Sequence, residues 1–344
     1  MKGDPQSAMP TTFLSYARRF LATAVLATGA AVLARGSYAR HLRQGTVAGP
    51  GSTITVDDGI QLHTDVEDHA DARLTIVFVH GFAASSQEFH EQRAALRGAG
   101  RLVLFDHRGH GSSGWGRYRR ATIDQLGHDL GQVIDAQPAT IPIVLVSHSM
   151  GGMATLALAK QRPELFTERI AAVALLSTAA GRLPATNMPR QTAQAMVRTH
   201  LATVAAWALW LTAPLIDVIA PFRRQWGQRW LLHKLFGEQG PPEKAAGMVE
   251  DMWIGTPMSM ASAFYPAFVS YNVPAALDVL DDIPVLVLAG TNDRVIPSER
   301  SENLAQQIDS AELVLVEGAG HMVNLTHPGK VNEALRELVD RAQP

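Results

Sequence analysis

The chain has 344 residues, of which 47% are hydrophobic, and a formal net charge of −2. This length suits one large domain with an insertion or two average domains, and the apolar content allows a substantial core. The absence of a basic excess argues against nucleic acid as a partner, and the absence of cysteine excludes disulfides, thiolate nucleophiles and cysteine zinc sites.

An uncharged apolar run, residues 20–34, lies between the pair Arg18 and Arg19 and the next basic residue, Arg35. The run is shorter than the about 20 residues of a membrane span and suits the apolar region of a signal peptide. A helix lying on the folded domain is the alternative. We therefore expect residues 1–44 to be a signal or membrane-anchor segment with a linker. The protein is then exported or membrane-anchored, and a cytoplasmic location is the alternative.

The folded domain, residues 45–344, begins with a stretch rich in Gly, Pro, Ser and Thr at residues 45–52. Residues 53–56 and 60–66 flank a turn signal, Asp57-Asp58-Gly59, which predicts an antiparallel hairpin. Further along the chain, short apolar runs rich in branched residues predict buried parallel strands. These runs are residues 74–79, 102–105, 143–146, 170–176, 285–288 and 313–316.

Helical patterns alternate with these strands, which predicts an α/β fold with a mostly parallel sheet flanked by helices. Thr122 and Gln125 have the spacing of a capping box and support a helix that begins there. The predicted helices are residues 86–97, 122–136, 150–161, 298–308 and 329–341.

Residues 182–273 interrupt the alternation, because they are helical in pattern with no evident strand. We interpret this insertion as a helical cap. Residues 201–220 are almost wholly apolar, but Pro214 bends or divides them, so a regular membrane span is not expected. Tryptophans and an excess of basic residues favour an acyl-chain pocket or contact with a membrane surface, with packing of the cap's own core as the alternative. The tryptophans are Trp207, Trp210, Trp226 and Trp230.

The sequence Ser147-His148-Ser149-Met150-Gly151 follows one predicted strand and opens the next predicted helix. A tight strand-to-helix turn exposes the hydroxyl of a nucleophilic serine, and small neighbours permit the strained backbone. Ser149 is therefore the candidate nucleophile, although Ser147 stands where the G-x-S-x-G pattern has its first glycine. An ordinary helix N-cap at Ser149 is the alternative.

A nucleophilic serine needs a base within hydrogen-bond reach and a group that orients this base. His321 follows the last predicted strand, in a glycine-rich loop at the carboxyl end of the sheet, where catalytic side chains of such folds gather. Asp293 follows the strand at residues 285–288, and the chain order Ser, Asp, His is that of a known triad arrangement. We predict that His321 is the base and that Asp293 orients it.

Other titratable residues near these motifs are interpreted as structural. Asp281 and Asp282 precede their strand, which is expected to place them at the wrong end of the sheet. His148 is expected to point away from the nucleophile, and His80 and His327 are expected to have structural roles.

The oxyanion of a tetrahedral intermediate needs preorganised N–H donors, and the loss of one such donor costs about 3 kcal/mol of transition-state stabilisation. The backbone N–H of Met150, directly after the nucleophile, is one candidate. The backbone N–H of Phe82, in His80-Gly81-Phe82 after the first parallel strand, is the other.

Together these motifs resemble the α/β-hydrolase superfamily from about residue 53 to the C-terminus. Residues 106–113 are similar to its D-x-R-G-x-G-x-S loop, and Ser149-Met150-Gly151-Gly152 is similar to monoacylglycerol lipases and related esterases. The resemblance implies the α/β-hydrolase fold with an eight-stranded sheet and a helical cap, and chemistry that needs neither a metal nor an organic cofactor. Related epoxide hydrolases and haloalkane dehalogenases have an aspartate at the elbow, so Ser149 favours acyl transfer instead.

These features predict a serine hydrolase that cleaves a small-molecule carboxylic ester, apolar or lipid-like, through an acyl-enzyme on Ser149. The same triad also supports a cofactor-free haloperoxidase or perhydrolase, a carbon-carbon bond hydrolase or an acyltransferase, and these alternatives stay open. A non-catalytic binding protein is a further alternative, which the complete set of Ser149, Asp293 and His321 disfavours.

Overall fold

The computed structural model describes residues 51–69, 71–181, 212, 235–236, 240, 242–273 and 276–343. An eight-stranded sheet with the order β1-β2-β4-β3-β5-β6-β7-β8 forms the centre of the fold. The strands are β1 (Ser52–Thr55), β2 (Gln61–Glu67), β3 (Thr75–Val79), β4 (Arg101–Phe105), β5 (Ile143–His148), β6 (Ile170–Leu176), β7 (Val285–Gly290) and β8 (Ala311–Val316).

The pairing of the strands confirms the predicted mostly parallel sheet. β1 and β2 form the predicted antiparallel hairpin, and β2 also pairs antiparallel with β4. The remaining neighbours pair in parallel, for example Val79 of β3 with Ser147 of β5. Because β3 and β5 are adjacent, the loops that follow them lie side by side at the carboxyl edge of the sheet.

The prediction that the last strand is buried was wrong for one of its faces. β8 is the edge strand, and Leu313 and Leu315 on one face are 38% and 40% exposed. Val316 on the other face is buried. An apolar run cannot distinguish an edge strand from a central one, since both have the same branched residues.

Helices cover both faces of the sheet, as alternating side chains along the strands require. In β5, Ile143 and Leu145 pack into one apolar cluster, and Val144 and Val146 pack into the cluster on the opposite face. The helices are α1 (His90–Leu96), α2 (Ile123–Asp135), α3 (Met150–Gln161), α4 (Glu164–Glu168), α5 (Glu243–Gly255), α6 (Met258–Ser270), α7 (Ser298–Ala305), α8 (Val323–Thr326) and α9 (Pro328–Arg341).

Two predicted helices differ in detail from the structure. The segment predicted as one helix at residues 86–97 is a 3-10 turn, Ser86–Phe89, followed by α1. The Thr122 hydroxyl accepts the Gln125 amide as expected, but the Gln125 side chain does not return to the cap. Its oxygen accepts Arg120 Nη1 and its NH2 group donates to Asp129. Only half of the capping box is therefore present, because Arg120 occupies the oxygen that would accept the Thr122 amide.

Much of the predicted cap lies outside the described residues. This holds for the four tryptophans at residues 207–230, for Pro214 and for the N-terminal apolar run at residues 20–34. The described part of the cap consists mainly of α5 and α6, and both are helical as predicted. Within the described ranges, no helix combines the length and the apolar character needed to cross a bilayer.

Candidate active site

Ser149 lies in the sharp turn between β5 and α3, and its backbone is strained. Its φ of 51° and ψ of −115° are rarely adopted by a residue with a side chain. A Cβ at Gly151 would collide with the carbonyl oxygen of Val79, and a Cβ at Gly152 would lie 2.6 Å from Thr178 Cγ2. The two glycines therefore permit the close approach of helix and strand that lifts Ser149 above the sheet edge.

Ser147 replaces the first glycine of the usual elbow pattern without disturbing the turn. Its side chain is fully buried, and its hydroxyl lies 2.7 Å from the hydroxyl of Thr155 in α3. Thr155 in turn donates to the carbonyl oxygen of Gly151. The departure is thus accommodated by a hydrogen bond that fastens the end of β5 to the first turns of α3.

The structure brings the three predicted triad side chains together. His321 Nε2 lies 2.9 Å from the hydroxyl oxygen of Ser149, and His321 Nδ1 lies 2.7 Å from Asp293 Oδ2. Asp293 follows β7 and His321 follows β8, so adjacent parallel strands supply both loops. Ser149, Asp293 and His321 are 8%, 6% and 4% exposed, which limits competition from water.

Asp293 is held by the backbone and thereby selects the tautomer of His321. Its Oδ1 accepts hydrogen bonds from the amides of Val295 and Ile296 at 2.8 and 2.9 Å. The carboxylate offers only acceptors, so His321 Nδ1 must carry the proton that is shared with Oδ2. His321 Nε2 is then free to accept the proton of Ser149, as a general base requires.

The two predicted oxyanion-hole residues flank Ser149. Met150 is the first residue of α3, where backbone amides have no acceptor within the helix. Phe82 follows Gly81 in the loop after β3. A Cβ at Gly81 would lie 3.3 Å from Ser149 Cβ, which shows how closely this loop approaches Ser149. Met150 thus follows Ser149 directly, and the loop that carries Phe82 packs close to the Ser149 side chain.

Aromatic side chains form a wall beside this loop. The ring of Phe82 packs edge-to-face against Phe268 and Phe264 of α6, with centroid distances of 5.1 and 6.4 Å. His110 lies against Phe82 and Phe264, and burial lowers the pKa of His110 to about 3. The ring is therefore neutral at ordinary pH, and the wall is apolar on the side formed by the cap.

The residues interpreted as structural occupy such positions. His80 Nε2 accepts the amide of His107, and its Nδ1 lies 2.7 Å from the Gly81 carbonyl oxygen. His327 is the N-cap residue of α9. Asp281 lies at the other end of β7 from Asp293 and accepts the amide of Asp309. Across the described ranges, no group of three or more His, Cys, Asp or Glu side chains is arranged to hold a metal ion.

Sequence reasoning missed Glu88, which is fully buried in the 3-10 turn before α1. Its carboxylate lies 3.3 Å from His148 Nδ1 and accepts the amide of Gly81. No local signal in the sequence distinguishes Glu88 from Glu91, which is exposed on the following helix. Its burial depends on packing against residues that are distant in the chain.

Comparison with known proteins identifies the family to which this chain belongs. The model of the alpha/beta hydrolase fold family matches residues 75–328. The chain is 27% identical over 271 residues to (E)-2-((N-methylformamido)methylene)succinate hydrolase of Acinetobacter baylyi, covering 77% of this chain and 90% of that protein. It is 25% identical over 301 residues to a non-heme chloroperoxidase of Streptomyces lividans, covering 83% and 99%.

The fold has a similar counterpart among solved structures. An esterase from Thermogutta terrifontis superposes with a TM-score of 0.66 at 22% identity, over 86% of this chain and 100% of that chain. The chain belongs to the alpha/beta hydrolase fold family and is a hydrolase of that family.

Proposed function

We propose that this hydrolase cleaves carboxylic esters of small apolar molecules, with Ser149 as nucleophile, His321 as base and Asp293 as the group that orients the base. The observation that carries the proposal is the continuous contact from Ser149 through His321 to Asp293, with distances of 2.9 and 2.7 Å. A serine that served only as a helix N-cap would bond to its own helix, whereas Ser149 makes no such side-chain bond.

The proposed reaction has two halves. Ser149 attacks the ester carbonyl carbon while its proton passes to His321 Nε2, and the Phe82 and Met150 amides stabilise the oxyanion. The intermediate collapses to an acyl-enzyme, and the alcohol leaves with the proton from His321. Water then attacks the acyl-enzyme with His321 again as base, which releases the acid and restores Ser149.

The aromatic wall supports an apolar substrate. Phe82 is a candidate oxyanion residue, and its ring lies against Phe264 and Phe268, so an ester bound there contacts apolar surface on the cap side. The tryptophans and basic residues predicted for the cap favour a lipid-like ester and contact with a membrane surface. This finer proposal rests on the sequence of residues 182–234.

Hydrolysis of p-nitrophenyl esters from acetate to palmitate tests the proposal. We expect turnover with an optimum at medium or long chains, and a loss of about 10⁶-fold in Ser149→Ala, because the residual rate depends on binding and the oxyanion hole alone. Equal rates in wild type and Ser149→Ala would refute the assignment of Ser149. A rise in long-chain activity above the critical micelle concentration is expected for a lipid-like substrate, and an unchanged rate would refute the membrane-surface proposal.

A second candidate function is peroxide-dependent halogenation, which the similarity to the Streptomyces lividans non-heme chloroperoxidase favours. Halogenation of a β-diketone with hydrogen peroxide and halide, assayed beside ester hydrolysis, separates the two. Halogenation without ester hydrolysis would replace the proposed function.

A further inference from the structure

A carboxylate and an imidazole lie buried directly behind the candidate triad, and the proposed reaction uses neither. The side chains of Glu88 and His148 are 0% and 2% exposed, and Glu88 Oε1 lies 3.3 Å from His148 Nδ1. Burying two ionisable groups in a protein core is costly unless they are paired. We therefore expect this buried pair next to Ser149 to have a function in the active site.

The pair contacts both loops that the reaction needs. Glu88 Oε1 accepts the amide of Gly81, the residue before Phe82, at 2.9 Å. His148 Nε2 lies 3.1 Å from the backbone carbonyl oxygen of His321. His148 is also the residue directly before Ser149 in β5. A single buried pair of side chains thus reaches the oxyanion loop, the nucleophile elbow and the loop of the candidate base.

Both nitrogens of His148 face acceptors. A carbonyl oxygen can only accept, so His148 Nε2 donates to His321, while Nδ1 faces the Glu88 carboxylate. Burial disfavours the charged ring, but the Glu88 carboxylate and the His321 carbonyl outweigh this effect, and the pKa of His148 is raised. The Glu88 carboxyl group and the His321 carbonyl oxygen thus face the two nitrogens of the His148 ring from opposite sides.

The backbone on two sides of the pair packs closely against it. A Cβ at Gly81 would lie 2.9 Å from His148 Nδ1, so only glycine fits between the pair and the oxyanion loop. The side-chain amide of Asn324, in the helix α8 that follows His321, donates to the carbonyl oxygen of Glu88 at 3.0 Å. The 3-10 turn that carries Glu88 is thus tied to helix α8, which begins two residues after His321.

We propose that Glu88 and His148 act as one positioning unit that holds the Phe82 amide and the His321 ring in register with Ser149. The inference rests on the proposed function, because it assigns the pair a task in that reaction. A displacement of about 1 Å in an active site can lower the rate by about 100-fold. A pair of side chains that fixes the positions of these three segments therefore has a large effect on the reaction rate without contacting the substrate.

The test compares Glu88→Gln, His148→Ala and the double variant, with Asp129→Asn as a matched control. Asp129 is a buried carboxylate paired with Arg108, but it lies on α2 in the other helical layer. Active sites are titrated with a fluorophosphonate, and kcat and KM are measured with p-nitrophenyl butyrate. Glu88→Gln keeps the size of the side chain and an acceptor for Gly81, so it provides a folded variant if His148→Ala does not fold.

We expect kcat per titrated site to fall by about 10- to 100-fold in each single variant, with KM within about twofold of the wild type. The double variant should be no slower than the slower single variant, because the partners act as one unit. Asp129→Asn should lower the melting temperature and leave kcat per titrated site unchanged.

Two results would overturn the inference alone: a kcat per titrated site that stays within about threefold of the active wild type, or single losses that multiply in the double variant. A wild type that neither reacts with the fluorophosphonate nor hydrolyses any ester would instead overturn the proposed function, and the inference with it.

Discussion

The substitution Asp293→Asn tests the candidate triad with almost no change in shape. Asp293 Oδ1 accepts two backbone amides, those of Val295 and Ile296, and Oδ2 faces His321 Nδ1 at 2.7 Å. In asparagine only the carbonyl oxygen can accept the two amides, so the NH2 group must face Nδ1. His321 then carries its proton on Nε2 and cannot take the proton of Ser149.

The expected loss follows from this change of tautomer. In serine triads the wrong tautomer lowers kcat by about 10⁴, which corresponds to about 5 kcal/mol of transition-state stabilisation. The measurement is kcat/KM with p-nitrophenyl butyrate at pH 7. The melting temperature should change little, because both hydrogen bonds of the carbonyl oxygen are kept.

Asp281→Asn is the matched control for this substitution. Asp281 precedes β7 and Asp293 follows it, and the Asp281 side chain accepts the amide of Asp309. We expect the control to retain full activity. If Asp293→Asn kept more than about a tenth of the wild-type activity, or if Asp281→Asn lost as much, the assignment of Asp293 would be refuted.

Three further predictions follow from burial and packing. Burial holds the pKa of His110 at about 3, so between pH 6.5 and 3 the unfolded chain binds a proton that the folded protein excludes. In urea titrations, the free energy of unfolding should therefore fall by about 1.4 kcal/mol per pH unit as the pH drops through this range. The variant His110→Gln should lack this part of the pH dependence. Gly151→Ala should lower the melting temperature and abolish ester hydrolysis, because the new Cβ would collide with the Val79 carbonyl oxygen. An active variant with an unchanged melting temperature would show that this close contact between α3 and β3 is wrong. Phe268→Ala should reduce kcat/KM for hexanoate esters about 10-fold more than for acetate esters, because the longer acyl chain loses its contact with the Phe268 ring. Equal losses for the two esters would show that the acyl chain does not lie against the aromatic wall.

The sheet and the meeting of the three candidate triad side chains were predictable because local patterns determine them. The runs at residues 76–79 of β3 and 143–146 of β5 are apolar, as buried parallel strands require, and turns follow both strands. Since the carboxyl ends of parallel strands share one edge, loop residues after different strands were expected to meet. The contact between His321 and Ser149, which are distant in sequence, follows from that geometry.

Features that depend on contacts between distant segments were not predictable. Glu88 and Glu91 look alike in sequence, yet only Glu88 is buried, because His148 and the amide of Gly81 lie beside it in the folded chain. The side chain of Gln125 bonds to Arg120 and Asp129 rather than to the helix cap, which its local sequence pattern does not show. The pattern of residue types along the chain indicates secondary-structure propensity and apolar periodicity. It does not indicate which buried charged side chains lie next to each other in the folded protein.

The strained backbone of Ser149 lowers the stability of the fold at the position where the proposed reaction needs a serine. A φ of 51° costs a residue with a side chain about 1–3 kcal/mol, whereas glycine adopts it freely. Replacing Ser149 with glycine would therefore relieve strain and remove the proposed nucleophile in one step. A variant that did not need the proposed reaction would gain stability by this replacement, so the proposed chemistry and a firmer fold make opposite demands on this position.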